Sequence, residues 1–238
     1  MTDQRHVTAL LPMKAHSARV KSKNFRQIAG KPLFRWILDS MLAVDAIDLI
    51  VINTDAREIL SENGLSDGDG DGRILIRDRK TEICGDFVSM NLVLADDIQN
   101  VASDHYFMTH TTNPLLTAST IESMLAAYLA AQKAGTADSL FAVNSLQTRF
   151  YTGGGEPINH DPENLIRTQD LDPYLEENSV GYFFNRESFD STKARIGNMP
   201  LLYTTPRLES VDIDEPSDWF VAESLLRRVA AGERLPES

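Results

Sequence analysis

Short apolar runs alternate with amphipathic stretches along most of this chain, and that alternation restricts its fold more than any other feature. Residues 6–11 read as a buried strand. After a polar interval Pro32 suits the first turn of a helix, where its missing N–H costs nothing, and Leu33, Trp36, Ile37, Met41 and Val44 recur at helical spacing. Residues 47–53 (IDLIVIN) are strand-like, a short helix runs from Asp55 toward Asn63 and Gly64, and residues 74–76 form a third strand. Asp86 is placed to cap a helix with Phe87, Met90, Leu94 and Ile98 on one face, and residues 106–108 begin another strand. Ser119 with Glu122 reads as the capping box of a helix through Leu129, and residues 140–143 are a further strand. Strands separated by helices predict an α/β domain with a mostly parallel sheet. Between about residues 144 and 178 the alternation fails in a Gly-, Pro- and polar-rich excursion. Residues 181–184 and 201–203 then return to strand character, and a last helix carries Trp219, Ala222, Leu226 and Val229.

With 42% hydrophobic residues among 238, the chain can bury one sizeable core. A formal net charge of −12 argues against a general nucleic-acid or anionic-membrane binder. The cations are nevertheless concentrated: Lys14, Arg19, Lys21, Lys23, Arg26, Lys31 and Arg35 share a window that contains no Asp or Glu. That window follows the first strand and precedes the first helix, where open α/β sheets bind ligands, and long loops there are usually functional. It reads as an anion site, with a solvated basic loop as the plain alternative. GxxxxGK[ST] and GxGxxG are both absent, which disfavours a P-loop NTPase or a dinucleotide-dependent dehydrogenase. The single cysteine, Cys84, cannot form an intrachain disulfide, and no run approaches the roughly 18 apolar residues of a membrane span. The expectation is a soluble, cytoplasmic protein.

Asp212 and Asp214 stand two apart in the extended segment VDIDEPSDW, so both carboxylates can face one side, an arrangement that suits Mg²⁺. The competing reading is a strand end followed by a helix cap, with Asp214 ahead of Pro216. Residues 67–72 (DGDGDG) imitate the start of an EF-hand loop, but its twelfth position is Asp78 rather than Glu, which favours an acidic surface turn over a calcium site. His16 and His110 lack HExxH-type neighbours, Ser17 has no GxSxG context and Cys84 no nucleophile signature, so zinc and covalent catalysis are not supported. His110, directly after a strand, reads equally as a ligand contact or as a hydrogen-bonded strand-end histidine.

Taken together these segments resemble a known family. LPMKAHSARVKSKNFRQIAGKPLFRWIL is similar to the N-terminal signature of bacterial acylneuraminate (CMP-sialic acid) cytidylyltransferases, PARGGSKGxxxKNxxxxxGKPLIxW. In the same order INTDAREI resembles STDDEEI, HTTNPLL resembles QPTSPLR, RTQDLDPYLEENSVGYFF resembles RQDxPxxYxxNGxxYxF, and VDIDEPSDWFVAE resembles DIDTPEDFxxAE, from about residue 7 to residue 224.

The resemblance implies a Rossmann-like nucleotide-diphospho-sugar transferase fold, a single domain over residues 1–238 with a small dimerisation arm at about residues 144–180. It implies a homodimer that transfers CMP from CTP to a sialic-acid-like 2-keto acidic sugar, with Mg²⁺ as cofactor and pyrophosphate as product. Catalytic roles would fall to Lys14, Lys23, Asp212 and Asp214, the two aspartates being the metal ligands. Nucleotide contacts would come from Lys14, Ser17, Arg19, Lys23, Asn24, Arg77, Ser89 and His110. Sugar-side contacts would come from His110, Asn113, Arg167, Gln169 and Asn178, with Arg167 and Gln169 acting across a dimer interface. The family's glycines and SKG are replaced by Ala15, His16, Ser17, Ala18 and Arg19, which moves anion binding from backbone to side chains; His110 stands for a glutamine and Ser179 for a glycine. These departures imply a divergent branch acting on another nonulosonic or an octulosonic acid. The nearest alternative, a 3-deoxy-manno-octulosonate cytidylyltransferase, is disfavoured because its TRLPGKPL pattern is missing; a catalytically silent nucleotide-sugar binding protein is the alternative of a different class.

Overall fold

Seven strands form one sheet in the computed structural model, which describes residues 7–16 and 20–236; His6, Ser17 and Arg19 lie outside them. In chain order the elements are β1 (Val7–Leu10), β2 (Gln27–Ile28), β3 (Lys31–Pro32), α1 (Leu33–Leu42), β4 (Ile47–Thr54), α2 (Arg57–Glu62), β5 (Ile74–Asp78), α3 (Met90–Asn100), β6 (His105–Met108), α4 (Ala118–Ala134), β7 (Ser139–Leu146), β8 (Tyr174–Phe184), α5 (Arg186–Thr192), β9 (Pro200–Thr204) and α6 (Pro216–Ala230). The sheet order is β5-β4-β1-β6-β8-β7-β9. Every pairing is parallel except those of β8, which runs against both β6 and β7. This is the mostly parallel α/β sheet that the alternation predicts. No helix of the described residues is long and apolar enough to cross a membrane.

Strand periodicity distributes the core over both faces of the sheet. Val7, Ala9 and Leu11 pack with Phe34, Ile37 and Met41 of α1 and with Ile121, Met124 and Tyr128 of α4. Leu10 points the other way, toward Leu94 and Ile98 of α3 and Phe189 of α5. A third cluster sets Trp219, Ala222 and Leu226 of α6 against Val20, Ile28, Leu33 and Leu115. Burial of Val20 and Ile28 anchors the basic window to the body of the domain, so its cations sit on a fixed scaffold. A tight β2–β3 hairpin closes that window: Ala29 and Gly30 have φ of 46° and 95°, as a two-residue hairpin turn with both central residues left-handed requires.

The structure revises several boundaries. Helix α3 starts at Met90 with Ser89 as its N-cap, the Asn91 N–H donating to Ser89 Oγ at 3.3 Å. Asp86 is instead drawn to Lys14, and Phe87 lies outside the helix, fully exposed. The cap of α4 is Thr117, which accepts from the Thr120 N–H at 3.2 Å, and not Ser119. Glu215, paired reciprocally with Asp218, caps α6, and this leaves the Asp214 carboxylate out of the helix start. Strands β7 and β8 run on beyond the sheet as an antiparallel ribbon, with Asn144↔Glu176 and Leu146↔Tyr174 paired, so the irregular excursion narrows to residues 147–173. The ribbon's exposed polar residues concealed it in the sequence, because neither of its faces is covered.

Candidate active site

A cleft of about 540 Å³ opens at the carboxyl ends of β1, β5 and β6, lined among others by Lys14, Lys23, Asn24, Arg79, His110 and Asp214. Its position is the one at which open α/β sheets bind ligands, because the strand-to-helix loops converge there.

Lys14 reaches the cleft on the loop after β1, and its Nζ meets Asp86 Oδ1 at 2.5 Å. Asn24 braces this loop: its Nδ2 donates to the Lys14 carbonyl at 2.9 Å and its Oδ1 accepts from the Thr111 hydroxyl at 2.6 Å. Lys23, largely buried, donates to the Ile213 carbonyl and lies 3.2 Å from Asp214 Oδ1. His110 follows β6. Burial, with Arg195 and Lys23 nearby, pushes its pKa down to about 4, so at neutral pH it offers an uncharged imidazole to the cleft.

The segment holding the two aspartates is pinned to the loop after β6 by the Ile213 N–H, which donates to the Thr112 carbonyl at 2.9 Å. Burial raises the Asp212 carboxyl above its ordinary range, and the neighbouring charge of Asp214 adds to this against a hydrogen bond from Thr112. Asp212 Oδ1 is buried with no hydrogen-bond partner among the described residues. A buried carboxylate oxygen that lacks a donor and adjoins a second carboxylate is a donor set that fits a hard, oxygen-seeking cation. Among the described residues no group of three or more His, Cys, Asp or Glu side chains gathers that could hold a metal, so an ion here would complete its shell with water and ligand oxygens, as Mg²⁺ usually does.

Other residues singled out from the sequence lie elsewhere. Arg77 sits within β5 with its guanidinium held by Asp97 and, at 2.9 Å, by Asp96, and it does not line the cleft. Ser89 serves as the α3 cap. Asn113 is fully buried, with neither amide atom bonded among the described residues. Asn178 is a buried cross-link whose Nδ2 reaches Thr205 Oγ1 at 2.7 Å and Asn144 Oδ1 at 3.1 Å. It sits at the slip in the β7–β8 register, beside Ser179 with φ 60°. Arg167 and Gln169 lie in the excursion, Arg167 paired with Asp170 at 2.7 Å. The DGDGDG turn uses its acids internally: Asp67 accepts from the Ile76 N–H and from Arg57, and Asp69 from the Ser66 N–H.

Arg79 is the residue that sequence reasoning missed. It lies one residue past the end of β5, where a side chain enters the cleft, whereas Arg77 is inside the strand. Counting from the strand end, rather than choosing the first arginine of the segment, is the signal that would have found it.

The fold and cleft together define an α/β enzyme that gathers cations and paired acids at the carboxyl edge of its sheet. A family model described as cytidylyltransferase matches residues 8–215, and the chain belongs to that family. It is 25% identical over 230 residues to CMP-N,N'-diacetyllegionaminic acid synthase of Legionella pneumophila, covering 92% of this chain and 96% of that protein. It is 27% identical over 243 residues to N-acylneuraminate cytidylyltransferase A of Danio rerio, covering 98% of this chain but 54% of the fish protein, so it spans about half the length of that relative. Among solved structures, CMP:2-keto-3-deoxy-manno-octonic acid synthetase complexed with CTP superposes with a TM-score of 0.64 at 14% identity, covering 94% of this chain and 99% of the other. 4-Diphosphocytidyl-2C-methyl-D-erythritol synthase from Anaerococcus prevotii does so with a TM-score of 0.64 at 11% identity, covering 95% and 98%. The fold class read from the sequence is that of these neighbours, and the chain is a nucleotidyltransferase of the cytidylyltransferase family.

Proposed function

We propose that this protein transfers CMP from CTP to a 2-keto acidic sugar of the nonulosonic class and releases pyrophosphate. The observation that carries the reading is the cleft itself, which Lys14, Lys23, Arg79 and Asp214 all line, with Lys23 3.2 Å from Asp214. The full-length match to a protein named as a CMP-legionaminic acid synthase supports a nonulosonic acid as acceptor.

In this reading the anomeric hydroxyl of the sugar gives its proton to water as it attacks the α-phosphorus of CTP in line, and pyrophosphate leaves with the electrons of the broken P–O bond. Lys14 and Arg79 stabilise the charge that builds on the leaving group, and Lys14 exchanges Asp86 for phosphate when nucleotide enters. Asp212 and Asp214 would hold Mg²⁺, whose chemistry when bound is to neutralise phosphate charge and acidify a coordinated hydroxyl. Lys23 fixes Asp214 and the Ile213 carbonyl, keeping the acidic segment in place. His110, uncharged, hydrogen-bonds substrate without adding positive charge. The exposed apolar residues Tyr151, Ile158, Leu165, Ile166 and Tyr174 crowd the β7–β8 ribbon and the excursion, which supports a homodimer joined through this arm.

The test is pyrophosphate release from each of the four nucleoside triphosphates against a panel of nonulosonic and octulosonic acids, with and without Mg²⁺. Turnover confined to CTP, a nonulosonic acid and Mg²⁺ is expected. Binding of CTP without turnover on any acidic sugar would instead identify a silent nucleotide-binding relative.

A further inference from the structure

We propose that Asn53, itself held by Asp97, is a positioning residue that aims the Arg79 guanidinium into the cleft. The inference rests on the reading above of that cleft as the nucleotide site. Arg79 Nε donates to Asn53 Oδ1 at 2.9 Å, and its Nη2 donates to the Asn53 carbonyl at 2.8 Å and to the Met13 carbonyl at 3.2 Å. Three of its five N–H groups are thereby fixed to the ends of β4 and of the loop after β1, and all three acceptors are neutral. Both Nη1 hydrogens are left for a ligand, and no described carboxylate lies within hydrogen-bond distance of the guanidinium. Asp55 and Asp97 act on Arg79 only through space, so its charge stays more available to an anion than that of Arg77, which two aspartates contact directly.

An amide can face either way, and only one orientation serves Arg79. Were Asn53 flipped, its NH₂ would oppose the Nε–H, donor against donor. Asp97 prevents this, because Asn53 Nδ2 donates to Asp97 Oδ1 at 2.8 Å and an acceptor there demands the amide nitrogen. Asn53 and Asp97 are both fully buried, so water does not supply a substitute partner. The relay Asp97–Asn53–Arg79 thus converts a buried hydrogen-bond preference into the direction of a cleft cation. Arg77, bonded to the same Asp97 oxygen, holds the far end of the relay.

The experiment is a double-mutant cycle read by calorimetric titration of CTP and by KM and kcat for pyrophosphate release. Asn53→Ala is expected to weaken CTP binding about tenfold, as the loss of a buried bond to a charged group does. The loss should appear in KM for CTP more than in kcat, and Asn53→Ala should cost nothing further in an Arg79→Ala background. Arg79→Lys, which keeps the charge but cannot span the three acceptors, should lose nearly as much as Arg79→Ala, and it provides the test if Asn53→Ala does not fold. Additive losses in the cycle, or full CTP affinity in Arg79→Lys, overturn the inference while leaving the function standing. Wild-type protein that binds neither CTP nor pyrophosphate overturns both.

Discussion

Two adjacent aspartates on α3 show how environment separates identical side chains. Burial works against ionisation at Asp96, but Lys80 and Arg77 outweigh it and hold the carboxyl below its ordinary range; at Asp97 burial wins and the pKa rises to about 6. Between about pH 4 and 6 the folded chain therefore binds more protons at Asp97 than the unfolded chain does, so stability falls as pH rises through that window and levels off above it. Asp97→Asn removes this slope while Arg77 keeps Asp96. Its melting temperature relative to wild type should climb between pH 4 and 6.5, corresponding to on the order of 1–3 kcal/mol, and then stay constant. A difference independent of pH would rule out Asp97 as its source. Asp212, two residues from the cleft-lining Asp214, is a comparable case, its carboxyl raised by burial. Asp212→Asn removes a buried charge, so the melting temperature at pH 7 should hold or rise while Mg²⁺-dependent turnover drops about 100-fold or more, the reverse of what a purely structural aspartate gives. Unchanged turnover would end its assignment as a metal ligand.

At the scale of elements, the ends of helices decide what their flanking residues are free to do. Glu215 and Asp218 cap α6 between themselves, and that releases Asp214 for the cleft. Thr117 caps α4 and also donates to Glu209, its N–H reaching Glu209 Oε2 at 2.9 Å, so one residue ties the helix to the loop after β9. Thr117→Ala should cost about 1 kcal/mol, typical of a lost N-cap, and lower the melting temperature by about 2–4 °C with KM for CTP unchanged. A shift in KM instead would mean that the Glu209 anchor helps to position the Asp212–Asp214 segment of the same loop at the cleft. The strands of the seven-stranded sheet and most helices were legible in the sequence because each has one or two covered faces that demand apolar residues, whereas the short β2–β3 hairpin fell in the stretch read as loop and helix start. Helix starts were less legible: Ser119 and Thr117 offer the same chemistry, and only the direction of the incoming chain selects between them. The outer halves of β7 and β8 were illegible for the opposite reason, as a ribbon that no other element of the chain covers leaves no regular apolar alternation.

For the molecule as a whole, the arm is where exposed apolar surface collects on an otherwise acidic chain of net charge −12. If a second copy covers it, replacing Leu165 and Ile166 together by aspartate should shift the mass measured by light scattering from twice the chain mass to the chain mass, with the sheet's circular dichroism retained. A mass unaffected by the pair would place the interface elsewhere. The basic window shows the division between levels of description. Its cations, its place after the first strand and the acid pair near the chain's end are all local facts, and the sequence by itself determined the α/β class, the family and the edge of the sheet at which the cleft lies. Which cations line the cleft was decided only by tertiary structure. Arg77 and Arg79 are two residues apart with the same side chain, yet buried aspartates neutralise one while an asparagine aims the other. The acceptors responsible, Asn53 and Asp97, are brought against them from β4 and α3. Charge sign is written along the chain, but the direction and strength of a charge depend on partners that folding assembles from distant segments.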